Sequence, residues 1–179
     1  DELAEVGAQR LLLLSPGDYF AFNQAFAERL DMPLNEKIER VELVSVLAEA
    51  LAAGRLQFRQ ADDLPAAFYV DPTHAVRHAE RHEAVRSLVS AALEEKPGEL
   101  FFNRQRAHPT GSTHLQFSNP ELARQLTVAR LRDAWERGAK TLICDDPGTL
   151  YQLQAFAEPY DLRVLSLYEL LADHVLLSS

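Results

Sequence analysis

Six short apolar runs alternate with longer amphipathic stretches along the chain, and no other feature constrains the fold as strongly. Arg10–Leu14, Val41–Val44, Ala67–Val70, Glu99–Phe102, Thr141–Cys144 and Arg163–Leu167 read as buried strands. Continuous apolar runs of this length belong to parallel sheets covered on both faces. Tyr19–Leu30, Val46–Ala53, His74–Leu93, Pro120–Arg137, Leu150–Ala157 and Tyr168–Leu176 read as helices. Strand–helix alternation predicts βαβ units with right-handed crossovers, and so an α/β fold with a mostly parallel sheet. Arg59 to Pro65 is the predicted seam between units.

Ser15-Pro16, Asp71-Pro72, Asn119-Pro120 and Asp146-Pro147 share one start signal, an N-cap residue before a proline at the first helical position. Proline suits that position because it has no N–H to satisfy and its φ is already helical. Three of these signals follow a predicted strand. They therefore belong at the carboxyl ends of the strands, where open α/β sheets bind ligands and helix N-termini favour anions. The spacings Ser15/Asp18 and Asp146/Thr149 match capping rather than catalysis.

The chain also repeats itself. Residues 5–17 align without gaps on residues 136–148, an offset of 138 − 7 = 131, with Gly7/Gly138 and Pro16/Pro147 among the identities. Gln24–Glu28 then matches Gln154–Glu158 one residue closer. In the second copy, two strand–helix units precede the shared segment. This predicts a partial first repeat over 1–60 and a complete second repeat over 66–179, together one compact unit of a longer protein.

Composition excludes several function classes. The net charge of −9, with no dense Lys/Arg run, argues against nucleic acid as a main partner. No stretch approaches the roughly 20 apolar residues that span a bilayer. The single cysteine, Cys144, cannot form an intramolecular disulfide or a Cys-only metal site. It fits a reducing compartment, so the expected location is cytoplasmic. Inside a strand and beside Asp145, Cys144 is expected to be a buried, inert thiol. No nucleophile elbow, P-loop or dinucleotide glycine fingerprint is present, so no catalytic residue is assigned.

Tyr69-Val70-Asp71-Pro72-Thr73-His74 forms one landmark; Ala107-His108-Pro109-Thr110-Gly111, followed by Asn119-Pro120, forms a second. The third runs from Gly138-Ala139 through Asp146-Pro147-Gly148-Thr149, and Ser15-Pro16-Gly17-Asp18 repeats its end. In order and spacing these resemble the cysteine-rich "CCG" domain of iron–sulfur oxidoreductases, the family found in heterodisulfide reductase and in the iron–sulfur subunits of glycolate oxidase and lactate utilisation. The resemblance places the family's cluster ligands at Ser15, Asp18, Thr73, His108, Pro109, Asp146 and Thr149, none of which is cysteine. It implies a cysteine-depleted relative, without an iron–sulfur cluster, acting as a non-redox accessory or protein-interaction domain. The implied partner is an upstream part of the same protein or an oxidoreductase-type subunit. The alternative is an enzyme or sensor that holds a divalent metal or a small anion where the family holds its cluster. His74, His108, His114 and Asp146, with Asp145 beside them, are the candidate ligands, since imidazole and carboxylate suit zinc or a similar ion. His74, His78 and His82 recur every four residues and read as one solvated helix face, with Arg77 and Arg81 alongside.

Overall fold

The computed structural model describes residues 5–30, 37–112 and 114–176. It is an α/β structure in which, among the described residues, all pairings between named strands are parallel. A two-stranded sheet joins β1 (Arg10–Leu13) to β2 (Glu39–Glu42). A four-stranded sheet has the order β4-β3-β5-β6, from β3 (Ala67–Tyr69), β4 (Gly98–Glu99), β5 (Thr141–Cys144) and β6 (Arg163–Ser166). The chain leaves β3 for β4 on one side, then returns past β3 to form β5 on the other. That reversal is a topological switch point, and the crevice outside the carboxyl ends of β3 and β5 is where such sheets place ligands.

The helices are α1 (Pro16–Phe20), α2 (Phe26–Leu30), α3 (Leu43–Ala52), α4 (Ala79–Ala92), α5 (His114–Ser118), α6 (Pro120–Glu136), α7 (Pro147–Gln154) and α8 (Leu167–His174). A π-helical turn, Ala21–Ala25, connects α1 to α2. β5 shows how the layers are assigned. Successive side chains of a strand point to opposite faces: Ile143 packs with Val85, Leu88, Val89, Leu167 and Leu170 of α4 and α8, while Leu142 and Cys144 pack with Leu131, Ala134 and Leu153 of α6 and α7. Val44 of α3 joins the Ile143 cluster, so the first unit shares the core of the second.

The repeat has a structural counterpart. β1 and β5 begin at the 131-residue offset, and each runs into a proline-started helix. Gly7 and Gly138, which end the preceding helical turns, both take positive φ, at 70° and 82°. β2 passes directly into α3 at Leu43, as β6 passes into α8 at Leu167.

Several expectations need correction. The run read as Val41–Val44 is strand only to Glu42, because Leu43 and Val44 open α3. The run read as Glu99–Phe102 pairs only at Gly98 and Glu99. His74–Leu93 is not one helix: a 3-10 turn, Thr73–Arg77, breaks at His78 before α4 begins. Ser15, Asn119 and Asp146 do cap their helices, but Asp71 accepts from arginine instead. The segment Arg59–Pro65 is no open seam. The Arg59 N–H donates to the His174 carbonyl at 2.8 Å, that of Ala61 to Ala92 at 2.8 Å, and Ala61 and Leu64 are buried.

Candidate functional site

Each strand that ends near the switch point delivers a carboxylate. Glu42 closes β2, Asp71 follows β3 by two residues, and Asp145 follows β5. All three are buried. Burial of charge is costly unless it is paired, and α4 supplies the pairing. Val85, Leu88, Val89 and Ala92 form its core stripe, and continuing that stripe back one turn reaches Arg81, with Arg86 beside it.

Arg81 bridges the two sheets. Its Nε donates to Glu42 Oε2 at 3.1 Å and its Nη2 to Asp145 Oδ2, while the Tyr69 hydroxyl donates to Asp145 Oδ1 at 2.8 Å. Arg86 forms a second centre. It reaches both oxygens of Asp71, at 3.1 and 2.8 Å, and both oxygens of Glu99, at 2.6 and 2.8 Å. The Arg104 N–H adds a 2.8 Å bond to Asp71. Bidentate guanidinium–carboxylate pairing fixes orientation as well as charge. The Tyr168 hydroxyl donates to the Leu14 carbonyl, a further tie between the units.

The ionisation follows from these contacts. Burial raises the Glu42 pKa, Arg81 opposes it, and Asp145 adds to the rise. Burial pushes Asp71 the same way, but the hydrogen bonds and charge of Arg86 outweigh it, and its pKa ends below the usual carboxylate range. Burial disfavours charged Arg81, yet Asp145 and Glu42 more than restore it. His78 and His82 are both held below the ordinary histidine value, by burial first and by neighbouring arginines next. A small polar cavity of about 120 Å³ opens beside Arg81, lined also by Arg40, Glu42, Ser45 and His78.

The expected solvated face is therefore half wrong: Arg81 and His82 are buried, while His74 and His78 keep partial exposure. The histidine and carboxylate ligand set is dispersed. His74 stacks on Phe20 with ring centres 5.6 Å apart, beside Gly17. His108 stacks on Phe102 at 3.8 Å. His114 is exposed at the start of α5, and Asp146 accepts from the Thr149 N–H at 2.7 Å as the cap of α7. Among the described residues, no three His, Cys, Asp or Glu side chains form a group suited to a metal ion.

The positions that the family resemblance marks as cluster ligands have other work. Ser15 caps α1 and donates to Asp18 at 2.9 Å, while Thr73 opens the 3-10 turn. Thr149 is buried, with its hydroxyl 3.3 Å from that of Thr110, which in turn donates to Ser112 at 3.2 Å. The second and third landmarks thus meet through hydroxyl groups. Pro109 is exposed. Cys144 is fully buried, and burial followed by Asp145 and Asp146 pushes its thiol up, away from the thiolate that would react or bind metal. A donor set with one such thiol does not fit an iron–sulfur cluster.

The arginine–carboxylate centres are what sequence reasoning missed. One signal was available: Arg81 lies on the apolar stripe of its helix, four residues before Val85. No protein-family model and no curated protein matches the sequence. Among the described residues no helix is long and apolar enough to cross a membrane.

Proposed function

We propose that the chain is a cysteine-depleted relative of the CCG domain, acting as a non-redox accessory domain that docks another polypeptide through its first unit. One comparison inside the molecule carries the docking. Leu12 of β1 occupies the repeat position of Ile143 in β5, since 12 + 131 = 143. Ile143 is fully covered, whereas Leu12 is 48% exposed and Leu14, just past the end of β1, is 56% exposed. Among the described residues β1 pairs with β2 alone. A two-stranded sheet is marginal by itself, and a strand edge with exposed apolar side chains is a template for a further strand.

The occupant proposed is an extended apolar segment of an oxidoreductase-type subunit, or of the same polypeptide outside these 179 residues. The buried Arg81 centre suits a scaffold role, because it ties the two sheets together through Asp145, next in sequence to Asp146, one of the positions that the resemblance marks as a cluster ligand.

The test is a photo-cross-linking amino acid placed at Leu14, with a control at the exposed Tyr151 of α7, in cells of the source organism. An adduct formed at Leu14 only, identified by mass spectrometry as an oxidoreductase-type subunit or a flanking segment, supports the reading. Equal adducts at both positions, or none at Leu14, contradict it.

A further inference from the structure

Arg130, on α6, is 4% exposed, and its Nη1 donates to the Phe102 carbonyl at 2.7 Å. Its Nε and Nη2 are buried and have no hydrogen-bond partner among the described residues, where it also makes no ion pair. Asp133, one turn on, is already engaged. It accepts from Arg137 Nε at 2.7 Å and from the Phe101 N–H at 3.0 Å. The other two buried arginines are both paired with carboxylates, Arg81 with Glu42 and Asp145 and Arg86 with Asp71 and Glu99, although Arg81 Nη1 also lacks a hydrogen-bond partner among the described residues. A charge buried without a partner costs several kcal/mol. Burial lowers the Arg130 pKa to about 10 against the opposing charges of Asp71 and Asp133, so the guanidinium is charged at neutral pH.

Arg130 lies in the wall of a pocket of about 400 Å³. Leu126, Ala129 and Pro109 give that pocket an apolar part. Asp133, Glu136 and Arg137 also line it, with Asp133 and Arg137 paired to each other and the Arg137 guanidinium over the Phe101 ring at 5.2 Å. Phe101, 60% exposed, stands at the rim beside His108. An unpaired buried cation beside apolar side chains, with an exposed aromatic ring at the rim, is complementary to an anionic group carried on a flat apolar body.

We propose that this pocket binds a small aromatic carboxylate, with the carboxylate toward the Arg130 guanidinium and the ring against Phe101 and Pro109. The occupant supplies the counter-charge that the protein omits. Charge-assisted hydrogen bonds from a guanidinium are among the stronger polar contacts. The site is independent of the docking edge on β1, which lies in the other unit.

The probe is benzoate, titrated into the whole chain and followed by NMR shifts, with its neutral isostere benzamide and with acetate as comparisons. Benzoate is expected to perturb Phe101, His108 and Arg130 and to bind roughly 10-fold or more tightly than benzamide, the share expected of a charged hydrogen bond. It should also bind more tightly than acetate, which lacks the ring. Arg130→Met should abolish the benzoate response while the protein stays folded, with an unliganded Tm equal to or above that of the wild type. Removing an unpaired buried charge relieves a cost, and built-in binding sites commonly carry such a cost. His108→Ala, at the exposed rim, should weaken benzoate binding several-fold without lowering the Tm. Equal binding of benzoate and benzamide, no response to benzoate, a response that survives Arg130→Met, or a large fall in Tm for Arg130→Met would each overturn the proposal.

Discussion

Replacing Arg81 with Met keeps most of the side-chain volume and deletes the charge between the two sheets. Arg81 is 2% exposed, and the Glu42 and Asp145 side chains it pairs are 6% and 0% exposed. The substitution therefore strands two carboxylates in the interior rather than at the surface. Breaking a buried pair from one side costs about 3–5 kcal/mol, against about 0–1 kcal/mol for an exposed pair. In a domain of this size, 1 kcal/mol moves Tm by roughly 2–4 °C. Arg81→Met should thus lower Tm by roughly 6–20 °C, a large share of the total stability of an ordinary domain. Arg124→Met is the matched control. Arg124 pairs with Glu121 at 2.7 Å, but both side chains are more than half exposed. Urea and thermal unfolding of the three proteins, followed by circular dichroism, read the difference. A loss below about 1 kcal/mol for Arg81→Met would refute the claim that this centre holds the two units together.

Two further outcomes follow from named residues. His78 and His82 titrate in the folded state below their unfolded value, so the unfolded chain takes up protons first as pH falls. Stability is full above about pH 6.5 and declines on acidification below it. Asp71, also depressed, adds a second loss near and below the ordinary carboxylate range. Urea midpoints measured across this range should show the decline, and a His78→Gln/His82→Gln variant should flatten its upper part. Gly111→Ala should be far worse than Gly138→Ala, although both glycines have φ of 82°: a Cβ at Gly111 would sit 2.3 Å from the Ala123 carbonyl oxygen, and one at Gly138 meets nothing within 4 Å. Equal Tm values for the two variants would contradict that packing.

How far the sequence reveals the fold depends on what surrounds each element. β5 was legible residue for residue because it is central and covered on both faces, so its whole length is buried and apolar after Thr141. β2 was misplaced because Leu43 and Val44 are apolar for a different reason, as the first turn of α3 packed into the core. Cap–proline–helix starts were legible at Ser15, Asn119 and Asp146, where the side chain serves its own backbone. Asp71 carries the same local signal, but two arginines distant in sequence compete for its carboxylate. The charge centres were hidden for a related reason. That Arg81 lies on an apolar stripe is written in one helix, but its partners come from β2 and β5, and the strand order decides which carboxylates face it. Arg130 is the same case without a partner to find.

The central claim, a CCG-like domain without a cluster, is tested most directly by acid-labile sulfide and iron together. Clusters are held by about four protein ligands, mostly thiolates, with at most two histidines. This chain has one thiol, Cys144, buried inside β5. Pairing two copies would still need histidine ligands and would require both thiols to leave their strands. Protein made and purified without oxygen, so that no cluster is lost in handling, should contain sulfide and iron far below one equivalent per chain. Bound metal without sulfide would be compatible with the claim, because oxygen and nitrogen donors suit harder ions. Stoichiometric sulfide with iron would contradict it and would make electron transfer the leading function.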